Sequence, residues 1–369
     1  MRRLHVIQLL PALDAGGVER STLEIALALV RAGHRASVVS AGGRLLPQLQ
    51  ALGAGHVPLA IGRKSPLVLR HLPALRRLFA TADIVHARSR LPAWLAHLAL
   101  RGMPAAQRPH FVTSVHGLNS PSRYSAILTC GERVECVSET VRAHVLRHYP
   151  ATDPARLVVI PRGVDPAAFP RRPHPDPLAR ARLAQEHPAL GGDGALLLLP
   201  GRGTRLKGHA DAIALLARLR AGGLDARLWL AGARQPGRER YVRELQAQAQ
   251  AAGVASALAI TAPTAAIAEA YAACDLVLQL SRQPEAFGRT VLEAWAVGRP
   301  VLGWAHGGVG ESLRRWLPEG AIAPFDLDAL VARARAWCLH PPPLPATMPP
   351  SLQAMQEAGL ALYHAVLGA

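Results

Sequence analysis

The sequence predicts an α/β protein with two Rossmann-like, doubly wound parallel-sheet domains. Three observations lead to this fold class: short apolar runs alternate with amphipathic stretches, the alternation restarts in the second half, and proline-rich junctions separate the parts. Strands of parallel sheets are covered on both faces, so they read as nearly continuous apolar runs. The 369 residues, 50% of them hydrophobic, are enough for two cores of ordinary domain size.

The strands form two series in the sequence. The first series consists of residues 4–10, 36–40, 83–87, 110–115, 133–138 and 157–161. The second series consists of residues 195–200, 225–232, 257–261, 274–280 and 299–305. VERSTLEIALALVRAG (18–33) is typical of the intervening helices, with apolar residues three and four apart and a closing glycine. We therefore expect one domain over residues 1–168 and a second over 190–340.

Two proline-rich segments mark the junctions. DPAAFPRRPHPDP (165–177) suits a linker between the domains, and HPPPLPATMPP (340–350) precedes a last amphipathic segment. This third part, a C-terminal helix within residues 350–369, lies beyond a linker and is a candidate for packing on the first domain. Ligands of open α/β sheets bind at the carboxyl ends of the strands. The expected site is therefore a cleft across which the two domains face each other.

The charge of the chain is strongly basic, with a formal net charge of +17. Residues 1–165 carry 21 basic and 9 acidic side chains. Such an excess suggests a polyanionic partner, namely a membrane surface, an anionic lipid-linked substrate or a nucleic acid. The alternative is a generally arginine-rich composition, because Lys64 and Lys207 are the only lysines among the 42 basic residues.

The cysteines and the hydropathy pattern predict a cytoplasmic protein. The four cysteines show no CxxC spacing and are interpreted as reduced thiols. No apolar run approaches 18 residues, and the opening MRRLHVIQLLPALDAGG is unlike a signal peptide.

Two glycine-rich turns follow predicted strands and open predicted helices. PALDAGGVERS (11–21) contains Gly16 and Gly17, and AHGGVGESL (305–313) contains Glu311. Glycines let the backbone approach a ligand, and the free amides of a helix start attract an anion such as phosphate. Each motif taken alone is equally consistent with a tight strand-to-helix turn.

PGRGTRLKGH (200–209) is a basic loop after a predicted strand. It is not a Walker A motif, because His209 and Ala210 stand where lysine and serine or threonine are required. Arg202 and Lys207 can instead neutralise a diphosphate, the arginine through two parallel hydrogen bonds and the lysine as a point charge. The alternative is a solvated basic loop.

PEAFGRTVLEA (284–294) places carboxylates on both sides of a helix start. Glu285 precedes the helix and Glu293 lies within it. The turn that begins the helix comprises Phe287, Gly288, Arg289 and Thr290. Helix-start amides suit a phosphate, whereas carboxylates accept hydrogen bonds from vicinal hydroxyls. The arrangement suits a nucleotide-sugar, whose hydroxylated rings flank a diphosphate; the alternative is one helix-start acid and one solvated acid.

In their order along the chain, the four motifs resemble those of the retaining nucleotide-sugar glycosyltransferases of the GT-B fold, in the group known as family 4. EAFGRTVLE resembles the Glu-x7-Glu signature of that family, and GGVER, VSE, RGVD, GRGTRLKG and HGGVGE fall at family-like places. The resemblance covers nearly the whole chain. DIVHARSRLPAW (83–94) is most similar to enzymes of bacterial lipopolysaccharide core assembly.

The resemblance implies roles for the residues of the second domain. Glu293 would hold the ribose hydroxyls, and Glu285 would contact hydroxyls of the transferred sugar. Arg202 and Lys207 would bind the diphosphate and stabilise it as it leaves, while the turn from Phe287 to Thr290 would line the donor.

In the first domain, the resemblance implies that Gly16 and Gly17 admit phosphates and acceptor close to the backbone. His116, in TSVHG, matches the family histidine near the sugar, with a satisfied core or loop histidine as the alternative. His86 and Arg88 are candidates for the acceptor side.

The implied reaction is metal-independent transfer of a hexose from a UDP- or GDP-sugar to a glycolipid or oligosaccharide acceptor. No DxD motif follows a predicted strand, so the two cations would take the place of a metal, and no cofactor is expected. A retaining hydrolase requires a pair of carboxylates that act as nucleophile and acid, and the sequence shows no pair that must take these roles.

IGRKSPLVLRHLPALRRLF (61–79) offers a reason for the basic first half. Arg63, Lys64, Arg70, Arg76 and Arg77 alternate with apolar residues at helical spacing. Such a helix can lie on an anionic membrane, here the inner face of a bacterial inner membrane. The alternative is an ordinary basic helix packed on the sheet.

Two other functions are compatible with parts of the sequence. A nucleotide-sugar epimerase or phosphorylase of the same fold would need its own acid and base or a cofactor lysine, and neither is evident. A nucleic-acid-binding protein would explain the pI of about 11.2, but the chain has 4% aromatic residues and no recognised binding module. Nucleic acid is therefore not an expected partner.

Overall fold

A computed structural model describes residues 2–14 and 16–368. The chain divides into two compact units. One consists of Met1–Arg162 together with Leu352–Ala369, and the other of Gly163–Ser351. The first unit thus ends six residues before the predicted boundary at 168, and the second unit includes both proline-rich segments.

The first unit contains a seven-stranded sheet in the order β3-β2-β1-β4-β5-β6-β7, and every neighbouring pair is parallel. Its strands are β1 (His5–Leu9), β2 (Arg35–Ser40), β3 (Gly55–Pro58), β4 (Ile84–Ala87), β5 (His110–Val115), β6 (Arg133–Cys136) and β7 (Leu157–Val159). Its α-helices within the described residues are α1 (Gly17–Arg31), α2 (Leu46–Ala51), α3 (Leu72–Phe79), α4 (Arg90–Arg101), α5 (Glu139–His148) and α13 (Leu352–Val366).

The second unit contains a six-stranded parallel sheet in the order β10-β9-β8-β11-β12-β13. Its strands are β8 (Ala195–Pro200), β9 (Ala226–Ala231), β10 (Leu258–Ile260), β11 (Leu276–Gln279), β12 (Val301–Trp304) and β13 (Ala321–Ile322). Its α-helices are α6 (Pro177–Glu186), α7 (His209–Ala221), α8 (Glu239–Ala251), α9 (Ile267–Ala273), α10 (Arg289–Val297), α11 (Gly307–Trp316) and α12 (Leu327–Leu339).

These sheets confirm the fold class predicted from the sequence. Each predicted strand is present, with ends that differ by a few residues at most. The sequence reading missed β3 and β13, which lie at the edges of their sheets. A short edge strand buries little apolar surface, so neither GHVP nor AI gives the apolar run that identified the others.

The C-terminal helix α13 is part of the first unit's core. Met355, Leu362 and Tyr363 are buried with apolar residues of α1 and the first strands. The Gln356 side-chain amide donates to the Glu24 carbonyl oxygen at 2.8 Å. Burial of each large apolar side chain contributes about 1.5–3 kcal/mol, so α13 stabilises this unit substantially.

Residues 61–79 do not form the single amphipathic helix expected from their spacing. Pro66 begins a 3₁₀ segment, Pro66–His71, and only Leu72–Phe79 is α-helical. Proline is tolerated in the first turn of a helix but disrupts its interior, so Pro66 and Pro73 divide the segment. Arg76 lies against Gly102, whereas Leu67 and Leu69 are 70% and 47% exposed.

None of the helices in the described part of the chain is long and apolar enough to cross a membrane.

Candidate functional site

Three loops meet at the carboxyl edge of the second sheet because β8, β11 and β12 are neighbours in it. The loop after β8 carries Arg202 and Lys207, the loop after β11 carries Glu285, and the loop after β12 opens α11. Two motifs that are about 80 residues apart in sequence are thereby brought together.

Lys207 and Glu285 form an ion pair in which Nζ and Oε1 are 2.5 Å apart. Both side chains are about 25% exposed. The Ser281 hydroxyl also donates to Oε1 of Glu285, and the Gln279 amide donates to Oε2 at 3.4 Å. Three donors therefore hold the Glu285 carboxylate in place.

Glycines allow the loops to approach this pair closely. Gly208 has φ 74°, and a Cβ there would collide with the carbonyl oxygen of Leu280 at the end of β11. At Gly307, with φ 58°, a Cβ would lie 2.6 Å from the Glu285 carbonyl oxygen. Residues other than glycine rarely adopt these backbone angles. The Gly308 amide donates to the same Glu285 carbonyl at 2.7 Å.

Glu293 lies on α10 and is 8% exposed. The hydroxyl of Tyr271, the buried aromatic residue of α9, donates to Oε2 of Glu293 at 3.0 Å. Burial, followed by the nearby Glu293 charge, raises the pKa of Tyr271 well above its usual value. Tyr271 therefore remains a hydrogen-bond donor that fixes the orientation of the carboxylate.

The remaining predicted residues of the second unit occupy the start of α10 and the basic loop. Phe287 is buried, and Gly288 has φ 89° with Val309 packed against the position where a Cβ would be. Arg289 and Thr290 are half-buried at the helix start. Arg202 is exposed.

In the first unit, Gly16 and Gly17 are exposed at the start of α1, and nothing lies within 4 Å of where a Cβ of Gly17 would be. His116 directly follows β5. Its Nδ1 lies 2.5 Å from an NH2 nitrogen of Arg162. Burial, and then the Arg162 charge, lowers the pKa of His116 well below the ordinary value.

A buried ionic network beneath His116 was missed by the sequence reading. Glu135 on β6 is 3% exposed, and its Oε1 pairs with Arg162 at 3.1 Å. The Ser114 hydroxyl donates to its Oε2 at 2.5 Å, and Arg88 lies 3.7 Å from the same oxygen. Burial alone would raise the pKa of Glu135, but Arg162 and Arg88 outweigh it, so the pKa falls well below its usual value. The available signal was a glutamate within the apolar run RVECV, since buried charges are almost always paired.

His86 and Arg88, expected on the acceptor side, lie inside this network. The His86 ring nitrogens contact Tyr363 Oη at 2.8 Å and Ser114 Oγ at 2.6 Å. Arg88 donates to the Ser21 hydroxyl at 2.8 Å. Burial, with a smaller effect of Arg88, lowers the pKa of His86 to about 3. These contacts give both residues a structural role in joining α1, α13 and the strands.

No group of three or more histidine, cysteine, aspartate or glutamate side chains that could hold a metal ion is found among residues 2–14 and 16–368.

Two parallel-sheet α/β domains, of seven and six strands, are consistent with the GT-B fold of glycosyltransferases. Residues 15–168 match the family profile described as Glycosyltransferase Family 4. Residues 183–350 match the profile described as Glycosyl transferases group 1. The chain belongs to this family of glycosyltransferases, as its sequence motifs predicted.

Curated relatives include D-inositol 3-phosphate glycosyltransferases from two bacteria. The protein of Catenulispora acidiphila is 28% identical over 383 residues, covering 96% of this chain and 89% of the relative. That of Xylanimonas cellulosilytica is 31% identical over 331 residues, covering 80% of this chain and 77% of the relative.

Solved structures share the whole fold. A glycosyltransferase from Rickettsia africae ESF-5 has a TM-score of 0.79 at 25% identity, covering 100% of this chain and 94% of its own. Anabaena Alr3699/HepE in complex with UDP and glucose has a TM-score of 0.78 at 19% identity, covering 99% and 95%. WaaG, a glycosyltransferase involved in lipopolysaccharide biosynthesis, has a TM-score of 0.67 at 20% identity, covering 99% and 95%.

Proposed function

We propose that this protein transfers a hexose from a UDP- or GDP-sugar to a glycolipid or oligosaccharide acceptor of lipopolysaccharide core or surface polysaccharide synthesis. The transfer retains the anomeric configuration and uses no metal. The observation that carries the proposal is the Lys207–Glu285 pair beside the start of α10, the helix that holds Glu293.

The donor's diphosphate takes its positive partners from the basic loop. Lys207 and Arg202 meet the negative charge that develops as the nucleoside diphosphate leaves, together with the amides at the start of α10. Preorganised charge of this kind acts on the transition state more than on the bound substrate. Lys207 contacts Glu285, so a phosphate held by Lys207 would replace part of that ion pair.

The two glutamates recognise the hexose and the ribose, which lie on either side of the donor's diphosphate. Glu285 accepts hydrogen bonds from hydroxyls of the hexose, and Glu293, oriented by Tyr271, accepts them from the ribose. The structures of HepE with UDP and with UDP-glucose support a uridine donor by similarity of fold.

The acceptor has two candidate classes. WaaG, of similar fold, supports a lipopolysaccharide acceptor. The similarity to D-inositol 3-phosphate glycosyltransferases favours a phosphorylated inositol instead. Both acceptors are anionic, which agrees with the net charge of +17. Incubating the enzyme and its donor with inositol 3-phosphate or with delipidated lipopolysaccharide core, followed by mass spectrometry, separates the two classes.

Thermal unfolding with UDP-, GDP- and ADP-sugars tests donor binding. A ligand at 100 times its Kd stabilises the folded state by about 2.7 kcal/mol, which corresponds to a Tm increase of roughly 5–10 °C for a domain of this size. We expect either the UDP-sugars or the GDP-sugars to produce such an increase and the other two classes to produce little. Absence of an increase with all three classes, at both low and high salt, would contradict the proposal.

A basic apolar surface on the first unit supports attachment to an anionic membrane. This surface, called here the basic face, consists of Arg63, Lys64, Leu67, Leu69, Arg70 and Arg77, all of them exposed. Each cation near an anionic bilayer contributes about 1 kcal/mol, and the two leucines can enter the interface. The basic face thus brings the enzyme to a lipid-linked acceptor.

Vesicle sedimentation tests the basic face. Replacing Arg63, Arg70 and Arg77 with serine removes about 3 kcal/mol, so partitioning onto vesicles with anionic lipid should fall roughly 100-fold. The matched control replaces three exposed arginines of the second unit, Arg238, Arg240 and Arg243, and should bind nearly as the wild type does. Equal losses of vesicle binding in the two triple variants would show that the protein is attracted by its overall charge, and would rule out the basic face as a docking site.

A further inference from the structure

The tautomer of His116 is dictated by a single neighbour. An NH2 nitrogen of Arg162 lies 2.5 Å from Nδ1 of the ring. A guanidinium group has five N–H donors and no acceptor. The Nδ1 atom must therefore present its lone pair, and the neutral ring carries its proton on Nε2.

Arg162 cannot readily turn away from the histidine. It is 4% exposed, and its NH1 nitrogen donates to Oε1 of Glu135 at 3.1 Å and lies 3.8 Å from Sδ of Met355 on α13. The Glu135 carboxylate is in turn fixed by Ser114 on the neighbouring strand. The buried network therefore aligns one guanidinium N–H with the ring.

The other ring nitrogen has no such partner. Nε2 of His116 is shielded from solvent, and no hydrogen-bond partner for it is found in the described part of the chain. A buried polar N–H without an acceptor is costly, and most such groups in native proteins have one. The ring stands at the carboxyl end of β5, where ligands of parallel sheets bind, and there is open space beside the next residue, Gly117.

We infer that Arg162 is a positioning residue that holds His116 as the Nε2–H tautomer, so that the ring donates a hydrogen bond to a sugar hydroxyl of the substrate. The identity of the ligand rests on the proposed function, whereas the tautomer and its cause do not. Arg162 begins the RGVD segment (162–165), and the sequence motifs gave it no role of its own.

The charges around the ring maintain the neutral state. The charges of Arg162 and Arg88 lower the pKa of His116, and the Glu135 carboxylate acts in the opposite direction. Burial and Arg162 keep the His116 pKa well below 6.5. The ring is therefore expected to donate from Nε2 throughout the physiological pH range.

Nuclear magnetic resonance of the full-length protein with ¹⁵N-labelled histidine tests the tautomer directly. Two-bond proton–nitrogen correlations distinguish the Nε2–H, Nδ1–H and doubly protonated rings, and comparison with His116→Gln assigns the signal among the 16 histidines. We expect the Nε2–H form at pH 7 and at pH 5.5. An Nδ1–H ring at pH 7, or a doubly protonated ring at either pH, would overturn the inference.

Arginine variants separate positioning from a general structural effect. In Arg162→Met the Nδ1 lone pair of His116 loses the donor that fixes it, so signals of the Nδ1–H form should appear beside those of the Nε2–H form at pH 7. Arg162→Lys retains an N–H donor and should keep the Nε2–H form. Arg88→Met removes another cation from Glu135 without touching the ring, and should leave the Nε2–H form unchanged. The same response in both methionine variants would refute a specific role for Arg162.

Histidine variants test what the Nε2 proton does. The amide nitrogen of glutamine can replace Nε2–H, whereas that of asparagine corresponds to Nδ1. The kcat/KM with the UDP- or GDP-sugar that the wild type uses should therefore be about tenfold lower in His116→Asn than in His116→Gln. Equal values for the two variants would show that the proton does not reach the substrate. If the wild type turns over no UDP- or GDP-sugar, the proposed function fails, while the resonance experiment still decides the tautomer.

Discussion

Replacing Lys207 with alanine should lower the rate of sugar transfer by about 100- to 1,000-fold and abolish the Tm increase produced by the nucleotide-sugar. This loss is typical when one preorganised group that meets developing negative charge is removed. The substitution also leaves the Glu285 carboxylate without the cation that lies 2.5 Å from it, so a negative charge would face the diphosphate. Initial rates with saturating acceptor and thermal unfolding with donor give the two measurements.

Arg205→Ala is the matched control for Lys207→Ala. Arg205 lies two residues away on the same loop, but it is exposed, pairs with Glu244 and stacks over Tyr241. The Arg205→Ala substitution should change the rate of sugar transfer by less than about threefold, since an exposed ion pair contributes less than about 1 kcal/mol to stability. Transfer by Lys207→Ala at a rate close to that of Arg205→Ala would mean that Lys207 does not contact the leaving group.

Glu135→Gln should destabilise the first unit by about 3–5 kcal/mol, the range observed when one partner of a buried ion pair is removed. The amide keeps the shape of the side chain, but the guanidinium groups of Arg162 and Arg88 stay buried without an anion between them. Urea unfolding measures the free energy, and hydrogen–deuterium exchange assigns the transition to the first unit.

The comparison for this variant is Glu132→Gln, three residues earlier. Glu132 is 52% exposed and pairs with His110, so its substitution should cost about 1 kcal/mol or less. A similarly small loss of unfolding free energy for Glu135→Gln would indicate that the stability of the network does not depend on the buried charge of Glu135.

Most of the fold was predictable because each buried parallel strand carries its own signal. ALLLLP became β8 and HFVTSV became β5 with no change of ends. The amphipathic repeat of the last helix was equally clear. What local patterns could not show is which core this helix would join, since that depends on contacts such as Gln356 with Glu24, 332 residues apart.

The candidate site was predictable to a different extent in the two units. Lys207 and Glu285 lie in short motifs after strands, and parallel pairing brings such loops together. The network around Glu135 involves segments that become neighbours only through strand register, for example Ser114 opposite Glu135. Its members are single polar residues within apolar runs, so no motif marks them.

The position of α13 has a consequence for synthesis of the protein on the ribosome. The residues that complete the first unit are translated after the whole of the second unit, Gly163–Ser351, has been made. Domains ordinarily mature in the order of their translation. Here the apolar face of α1 that α13 covers stays exposed until α13 has left the ribosome, and the second unit can finish folding before the first.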